Sequence, residues 1–234
     1  PSRELNFAGT PWKISQYDLN ALESGKQLAA GGGSLTALSI GSEAALGSSK
    51  IQKDILSRGA DELKLVMDDG KPFQDSLQTA KAIAEAVGTI GQYDLVLCGM
   101  GSSDLYFQEV GVQVGELLGV PALNNVTGIK PAGEGVLEVE RTLEDEVEVL
   151  EVPLPAVLSV SSEINTPSVP AMRDIMRAGK KPVDKLDCQG GGEPSLRILQ
   201  QLAPQQQERR KELVEGDGEE AVDALVRFLK KEGF

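Results

Sequence analysis

The chain has 234 residues, of which 40% are hydrophobic and 25% charged, as is ordinary for a globular protein. Its formal net charge of -13 argues against nucleic acid or an anionic membrane as a partner, because both are bound through clustered Lys and Arg. No apolar run approaches the roughly 20 residues that span a bilayer. The absence of histidine removes the commonest general base, His-dependent nucleophiles and imidazole metal sites. We therefore expect no metal site, and any redox chemistry would belong to a bound cofactor.

Helix and strand patterns alternate through the first half of the chain. Such alternation produces βαβ units, so the predicted fold class is α/β with a doubly wound, mostly parallel sheet. The strand at 93–98 has a continuous apolar centre, which is typical of a central strand covered on both faces. Apolar periodicity predicts helices at 18–28, 42–56, 76–87 and 108–118, and strands at 35–40, 62–67 and 93–98.

The second half departs from this alternation. Residues 136–139 and 147–152 alternate with period two around an acidic tip, which predicts an added β-hairpin. Residues 156–160 predict a buried strand, and residues 172–177 a short helix.

The C-terminal residues are poor in core side chains. Glycines at 190–192 and a polar stretch at 205–210 indicate a linker, and an amphipathic helix is predicted at 219–231. A segment of this kind cannot fold alone. We interpret residues 184–234 as a C-terminal arm that packs on another subunit, with a disordered tail as the alternative.

The loop after the 93–98 strand is the main candidate for a ligand site. In a doubly wound sheet, ligands bind beyond the carboxyl ends of the strands. Two closely spaced glycines let the backbone approach a ligand, and the helix that follows near Gln108 directs free N–H groups toward a phosphate. The loop is neither a G-x-G-x-x-G fingerprint nor a Walker loop, so a plain strand-to-helix turn stays open as an alternative. Its residues are Gly99, Met100, Gly101, Ser102, Ser103 and Asp104.

Two other loops at the same edge of the sheet are expected to line the same cleft. Ile40 and Gly41 end one strand, although Gly41 is equally well explained as a turn glycine. The other loop begins the first helix, where Asp18 has the alternative of a helix N-cap. Its residues are Ser15, Gln16, Tyr17 and Asp18.

The loop at residues 165–170 is a second candidate site. Two prolines stiffen it, and Met172 and Met176 follow. A preorganised loop with adaptable apolar side chains suits docking with changing partners. Methionines that belong to the core are an equally good interpretation of the residues alone.

Several segments, taken together and in order, resemble the beta subunits of electron transfer flavoproteins, most closely the FixA-like branch. The resemblance runs from about Leu5 to Val183. The segments are KISQYDLNA at 13–21, DILSRG at 54–59, DLVLCG at 94–99, GSSDLY at 101–106, RTLED at 141–145, PLPAV at 153–157 and IMRAGKKP at 175–182.

The resemblance implies a Rossmann-like, adenine-nucleotide-binding α/β domain over residues 1–183. It implies a heterodimer whose alpha subunit holds most of a redox-active FAD, while this chain carries AMP or, in electron-bifurcating members, a second FAD. The two cysteines, Cys98 and Cys188, do not form a disulfide framework, so we expect the cytoplasm as the compartment. The chain would be an electron carrier rather than an enzyme. It would link a flavoprotein dehydrogenase or NADH to a quinone, ferredoxin or acyl-CoA/carnitine-type reductase chain.

The same resemblance assigns residues to two sites. The nucleotide positions are 15–18, 40–41 and 99–110, which adds Glu109 and Val110 to the residues above. The partner-docking positions lie within 168–180, with Met172 in the place of an anchoring leucine. The docking residues are Ser168, Val169, Pro170, Met172 and Met176.

Three departures from the family pattern stand out. The family's opening strand is missing before Leu5, and we expect it to be absent from this sequence rather than from the natural protein. Such a loss would leave a gap flanked by unpaired backbone groups. Val110 replaces a phosphate-contacting Thr, so Ser102 or Ser103 would substitute, and Ser168 replaces an Arg.

Two other functions remain open from the sequence. A stand-alone adenine-nucleotide-binding regulator of the same fold would need no arm. A hydrolase of the PP-loop type is disfavoured, because its Ser-Gly-Gly-x-Asp-Ser signature does not occur.

Overall fold

A computed structural model describes residues 3–6, 8–67, 75–188, 193–205 and 213–233. The chain divides into two units. Gly9–Leu199 form the larger one, and Pro1–Ala8 with Gln200–Phe234 form the smaller one. Among the described residues, no helix combines the length and apolar character needed to cross a membrane.

The larger unit alternates helices and strands before a run of four strands. Its elements are α1 (Gln16–Ala29), β1 (Thr36–Gly41), α2 (Glu43–Leu46), α3 (Ser49–Ser57), β2 (Glu62–Met67), α4 (Ser76–Ile90), β3 (Leu95–Gly99), α5 (Val110–Leu118), β4 (Ala122–Gly133), β5 (Val136–Thr142), β6 (Val147–Pro153), β7 (Ala156–Val160), α6 (Met172–Ala178) and β8 (Val183–Leu186).

Most predicted elements are confirmed within a few residues. The helix predicted at 42–56 is divided into α2 and α3, although Ser42 does cap α2 by accepting a hydrogen bond from the backbone N–H of Ala45. Helix α5 begins at Val110 rather than near Gln108, because Gln108 adopts a left-handed φ of 59°. Strands β4 and β8 were not predicted.

The strands form two sheets. One is a parallel sheet with the order β1-β2-β8, and the other has the order β3-β7-β4-β5-β6. Strands β3, β7 and β4 pair in parallel, and β4, β5 and β6 pair antiparallel, so the predicted hairpin and the predicted α/β class are confirmed. The predicted central position of β3 is wrong. It is the end strand of its sheet among the described residues and is only half buried, whereas β7 is buried along its whole length.

Strand β7 carries the core on both faces. Leu158 belongs to a cluster with Ala21 of α1, and Val157 belongs to a second cluster with Ala80 of α4 and Val114 of α5. Since neighbouring residues of a strand point to opposite faces, α1 lies on one side of β7, and α4 and α5 lie on the other. This is the doubly wound arrangement that the sequence predicts.

The smaller unit contains α7 (Glu219–Glu232) and a short antiparallel bridge between Glu4 and Leu202. Helix α7 confirms the amphipathic helix predicted at 219–231. Its apolar residues are exposed, by 58% at Val222 and 49% at Leu225. The glycines at 190–192 and residues 206–210 of the polar stretch lie outside the described residues.

Two helix glycines provide a test of how tightly α5 packs. A Cβ atom at Gly115 would lie 2.3 Å from the Cβ of Ala122 in β4, whereas one at Gly88 in α4 would meet no atom within 4 Å. We expect Gly115→Ala to lower the free energy of unfolding by about 1–3 kcal/mol through overpacking. Gly88→Ala should raise it by about 0.5–1 kcal/mol through helix propensity. Urea denaturation of both variants measures the two effects, and a stabilising Gly115→Ala would contradict the close contact.

Candidate functional site

The start of α1 packs directly on the carboxyl end of β3. A Cβ atom at Gly99 would lie 2.6 Å from the Asp18 Oδ1 atom and 2.8 Å from the Tyr17 Cβ atom. Such distances exclude every side chain at this position, so glycine is required for the contact between α1 and β3. Two of the predicted loops, the start of α1 and the loop after β3, are therefore brought together.

Asp18 is not the helix N-cap, so this alternative is wrong. The N-cap residue is Ser15, and the Asp18 carboxylate instead accepts a hydrogen bond from the backbone N–H of Gly99. Asp18 stays accessible to solvent, yet the surrounding protein desolvates its carboxyl group and raises its pKa, against the opposing effect of the Gly99 bond. The same crowding, with Asp18 nearby, raises the pKa of Cys98 to about 12. Cys98 is therefore an unreactive thiol.

The loop after β3 is stabilised by its own polar groups. The Ser102 hydroxyl and the Leu105 backbone N–H donate to the Asp104 carboxylate, and the pKa of Asp104 is lowered. The backbone N–H of Tyr106 donates to the Ser102 Oγ atom at 3.3 Å. The Asp104 carboxylate therefore makes its hydrogen bonds within the loop and does not cap α5. Ser103, beside it, is exposed.

The backbone of this loop is strained. Tyr106 and Gln108 adopt left-handed φ values of 51° and 59°, which cost free energy for residues other than glycine. Strain of this kind is concentrated at functional sites and persists only where the surroundings enforce it. The observation favours a binding loop over the plain strand-to-helix turn.

Tyr106 lies within the range 99–110 that the resemblance implies, but the sequence did not single it out as a site residue. Its ring lies 5.7 Å from the ring of Tyr17, and its hydroxyl lies 3.9 Å from the Met100 sulfur. A Cβ atom at Gly101 would lie only 3.0 Å from the Tyr106 ring. The two tyrosines thus form an aromatic pair over the Gly99–Gly101 backbone. The feature of the sequence that could have indicated Tyr106 is the presence of an aromatic residue within a polar, Gly- and Ser-rich loop.

The remaining predicted residues around α5 have different surroundings. Glu109 accepts a 2.5 Å hydrogen bond from the Ser76 hydroxyl of α4, and Val110 packs on the apolar cluster around Val114. No side chain caps α5, so its first N–H groups are left for other acceptors. The Ser15 Oγ atom is buried without a hydrogen-bond partner, as is expected of a donor that serves a ligand.

Ile40 and Gly41 lie in the other sheet, at the carboxyl end of β1. A Cβ atom at Gly41 would meet the Leu46 side chain of α2. A Cβ atom would make only an ordinary contact there, so the structure does not require glycine at position 41.

The predicted docking residues lie on an exposed segment at residues 168–180, which includes α6 and is here called the docking segment. Val169 is 90% exposed, Met172 73% and Met176 72%, so the interpretation that the methionines belong to the core is wrong. Ala178, at the end of α6, is instead the buried residue that packs against the α3 side. Pro170 is half buried.

Ser168, at the start of the docking segment, is held by charged groups of α1. Its hydroxyl donates to the Glu23 carboxylate at 2.7 Å and accepts from the Lys26 ammonium at 2.7 Å. Lys26 thus supplies a positive charge beside Ser168, the position at which the resemblance implies an Arg.

Within the described ranges, no three His, Cys, Asp or Glu side chains are grouped so as to hold a metal ion. The candidate site instead offers backbone N–H groups, hydroxyls and aromatic rings. These groups suit a nucleotide, because N–H groups at a helix start bind phosphate and aromatic rings stack on a base.

Comparison with known families gives a match over most of the chain. Residues 5–189 match the family model of the electron transfer flavoprotein domain. The matched range includes both the loop after β3 and the docking segment, and it ends before α7.

Replacing Asp18 tests the electrostatics of this site. Because its pKa is raised in the fold, Asp18 makes a favourable contribution to stability that is complete below its ordinary pKa of 3.8 and is lost as the pH rises through the folded pKa. Asp18→Asn keeps an oxygen acceptor for the Gly99 N–H, so we expect it to raise the free energy of unfolding at pH 7. The gain should shrink as the pH falls toward 3.8.

Asp104→Asn is the matched control. The lowered pKa of Asp104 gives the opposite sign, so this variant should be less stable than the wild type at pH 7, and the loss should shrink on acidification. Urea denaturation at several pH values measures both differences. Changes of the same sign at pH 7 would contradict the assignment.

Proposed function

Because the chain belongs to the electron transfer flavoprotein family, whose members carry electrons rather than act as catalytic enzymes, we propose that it is the beta-type subunit of a heterodimeric electron transfer flavoprotein. It binds AMP or a second FAD, and its alpha-type partner holds most of the redox-active FAD. Electrons pass between a flavoprotein dehydrogenase or NADH and a quinone, ferredoxin or acyl-CoA/carnitine-type reductase chain. The FixA-like branch is the closest assignment by its sequence segments.

The contact between the start of α1 and the loop after β3 is the single observation that carries the nucleotide proposal. It groups the unpartnered Ser15 hydroxyl with the Tyr17–Tyr106 pair. The uncapped start of α5 follows this loop along the chain. The hydroxyl and backbone N–H groups suit the ribose and phosphate, and the tyrosine rings suit the base. A bound flavin would supply the one- and two-electron chemistry, while the residues of this chain bind, orient and exclude water.

The exposed apolar residues support two protein partners. Val169, Met172 and Met176 form an exposed apolar surface whose unbranched methionine side chains can adapt to changing partners, which suits redox partners. Helix α7 exposes a second apolar face, which suits burial against the alpha-type subunit. Soluble proteins seldom leave such faces uncovered.

The heterodimer is tested by co-purification with the alpha-type subunit. We expect a one-to-one complex with flavin absorbance. A double variant of α7, Val222→Asp with Leu225→Asp, should weaken the complex at least about tenfold, because a charge placed in an apolar interface is left unpaired. Asp223→Ala, on the same helix but outside the apolar set, is the control and should bind normally.

Two outcomes would contradict the proposed heterodimer. If the wild-type chain stays monomeric beside its alpha-type subunit and the mixture shows no flavin absorbance, the heterodimer is wrong. Deleting residues 190–234 should weaken heterodimer formation, whereas the stand-alone nucleotide-binding regulator predicts that the deletion is harmless and leaves ATP binding unchanged. A deletion that has no effect is therefore the second contradicting outcome.

The bound nucleotide is identified by mass spectrometry of the ligand released from the purified heterodimer. AMP indicates simple electron transfer, and a second FAD keeps bifurcation open. Tyr106→Ala should weaken nucleotide retention roughly 5- to 100-fold, because stacking of a base on an aromatic ring is worth about 1–3 kcal/mol. Phe107→Ala removes the neighbouring exposed ring and is the control. Equal retention in both variants would contradict the role of Tyr106.

A further inference from the structure

A pair of amide side chains, Asn20 and the half-buried Asn165, joins α1 to the segment that precedes α6. Asn20 is fully buried, and its Nδ2 atom donates to the Asn165 backbone oxygen at 2.7 Å and to the Asn165 Oδ1 atom at 3.1 Å. Asn165 Nδ2 donates in return to the Asn20 backbone oxygen at 3.1 Å and to the Ser24 hydroxyl at 2.8 Å. The pair is therefore reciprocal, and each amide uses both its donor and its acceptor.

A second contact lies three residues further along both segments. The Ser168 backbone N–H and hydroxyl both donate to Glu23 Oε2, at 3.2 Å and 2.7 Å. Burial by itself raises the pKa of Glu23, but hydrogen bonds from Ser168 and Lys26 lower it on balance. Glu23 is consequently an ionised acceptor at neutral pH, and hydrogen bonds to a charged group are the stronger kind.

The other end of the docking segment is also fixed. Ala178 is 1% exposed against the α3 side, and the Lys181 ammonium donates to the backbone oxygens of Leu56, at 3.0 Å, and Ala60, at 2.5 Å. The exposed residues Val169, Met172 and Met176 thus lie between two anchored ends. The end at α6 depends on the apolar contact of Ala178 and on the Lys181 ammonium, whereas the other end depends on amide and hydroxyl groups paired with α1.

We propose that Asn20, Glu23, Asn165 and Ser168, here called the α1 anchor, are positioning residues that hold the docking segment in one conformation before a redox partner binds. This inference rests on the proposed function, which assigns the segment to partner docking. Ordering a loop in advance removes part of the entropy cost of binding. The anchor acts through the orientation of α6. Ser168 is also one of the predicted docking residues, whereas Asn20, Glu23 and Asn165 are not.

The anchor gives the docking segment a specific position rather than stability alone. A buried amide costs free energy unless its donors and acceptor are paired, and the observed register of residues 162–168 against α1 pairs Asn20. A slip by one residue would break the side-chain bonds that Asn165 makes with Asn20 and Ser24. The apolar cluster beneath α1 has no comparable selectivity, because apolar contacts lack direction.

The experiment compares anchor variants of the purified heterodimer by tryptic cleavage at Arg173 and Arg177, which are exposed in α6. Ser168→Ala removes the hydroxyl that contacts Glu23 and Lys26, and we expect cleavage to become about fivefold faster, because cleavage follows the population of the open segment. Asn165→Ala should accelerate it about tenfold or more. Ser168→Thr restores a hydroxyl and should cleave at nearly the wild-type rate.

Ser76→Ala is the matched control, since the Ser76 hydroxyl also has two side-chain partners, Glu109 and Gln113, but lies in α4. It should leave cleavage in α6 unchanged. A second readout is the reduction of the heterodimer by its flavoprotein dehydrogenase. Asn165→Ala, which lies outside the predicted docking residues, should raise the apparent KM for that dehydrogenase about tenfold with kcat and flavin content unchanged, a split that a general loss of stability would not produce.

The outcomes separate the two levels of the proposal. If Ser168→Ala and Asn165→Ala leave both cleavage and the KM at wild-type values, the α1 anchor is wrong although the proposed function stands. If cleavage accelerates while the KM is unchanged, the anchor orders the segment but has no role in docking, which also overturns the inference. A wild-type chain that forms no flavin-containing heterodimer overturns the proposed function instead.

Discussion

The close contact between α1 and the end of β3 is the constraint on which both candidate sites depend. Gly99 admits the backbone of Tyr17 and the Asp18 carboxylate at distances that no Cβ atom allows. Gly25 repeats this further along α1, where a Cβ atom would lie 2.7 Å from the Leu35 side chain. Helix α1 therefore has little freedom to shift. Its first turn faces the loop after β3, and its middle holds the segment that leads into α6.

The charges of the protein and of the candidate site serve different purposes. A net charge of -13 keeps the surface acidic, whereas the loop after β3 uses backbone N–H groups and hydroxyls as donors. Asp18 and Asp104 differ although they are close in the fold. Asp104 is satisfied within its own loop, and Asp18 is desolvated with one opposing hydrogen bond. A carboxylate whose ionised form is destabilised by its surroundings is common at sites that bind a ligand, where function is favoured over stability.

The docking segment shows how an exposed apolar surface can still be ordered. Its methionines gain nothing from the core, so their position depends on the anchored ends of the segment. At one end the anchor is an apolar contact at Ala178, and at the other it is the paired amides of Asn20 and Asn165. The polar end can be altered by single-atom changes such as Ser168→Ala, which makes its role separable from folding.

The sequence by itself determined the α/β class, the hairpin and α7, because each of these follows from the local period of apolar residues. It also indicated the loop after β3, since two glycines directly after an apolar strand let the backbone approach a ligand closely. It missed β4, where Asn124, Asn125 and Pro131 interrupt the strand pattern and two register shifts occur. Strand β8 has four residues and is recognisable only through its pairing with β2.

Only the tertiary structure decided which residues meet. The pairing of Tyr17 with Tyr106 and of Asn20 with Asn165 joins positions far apart in the chain, and no local pattern encodes such contacts. The place of β3 at the end of its sheet was also decided by pairing, because a continuous apolar run records burial on two faces but not which strands lie beside it. The period of apolar residues along the chain shows which face of a helix or strand is buried. Which helices and strands lie side by side is decided only when those faces pack together in three dimensions.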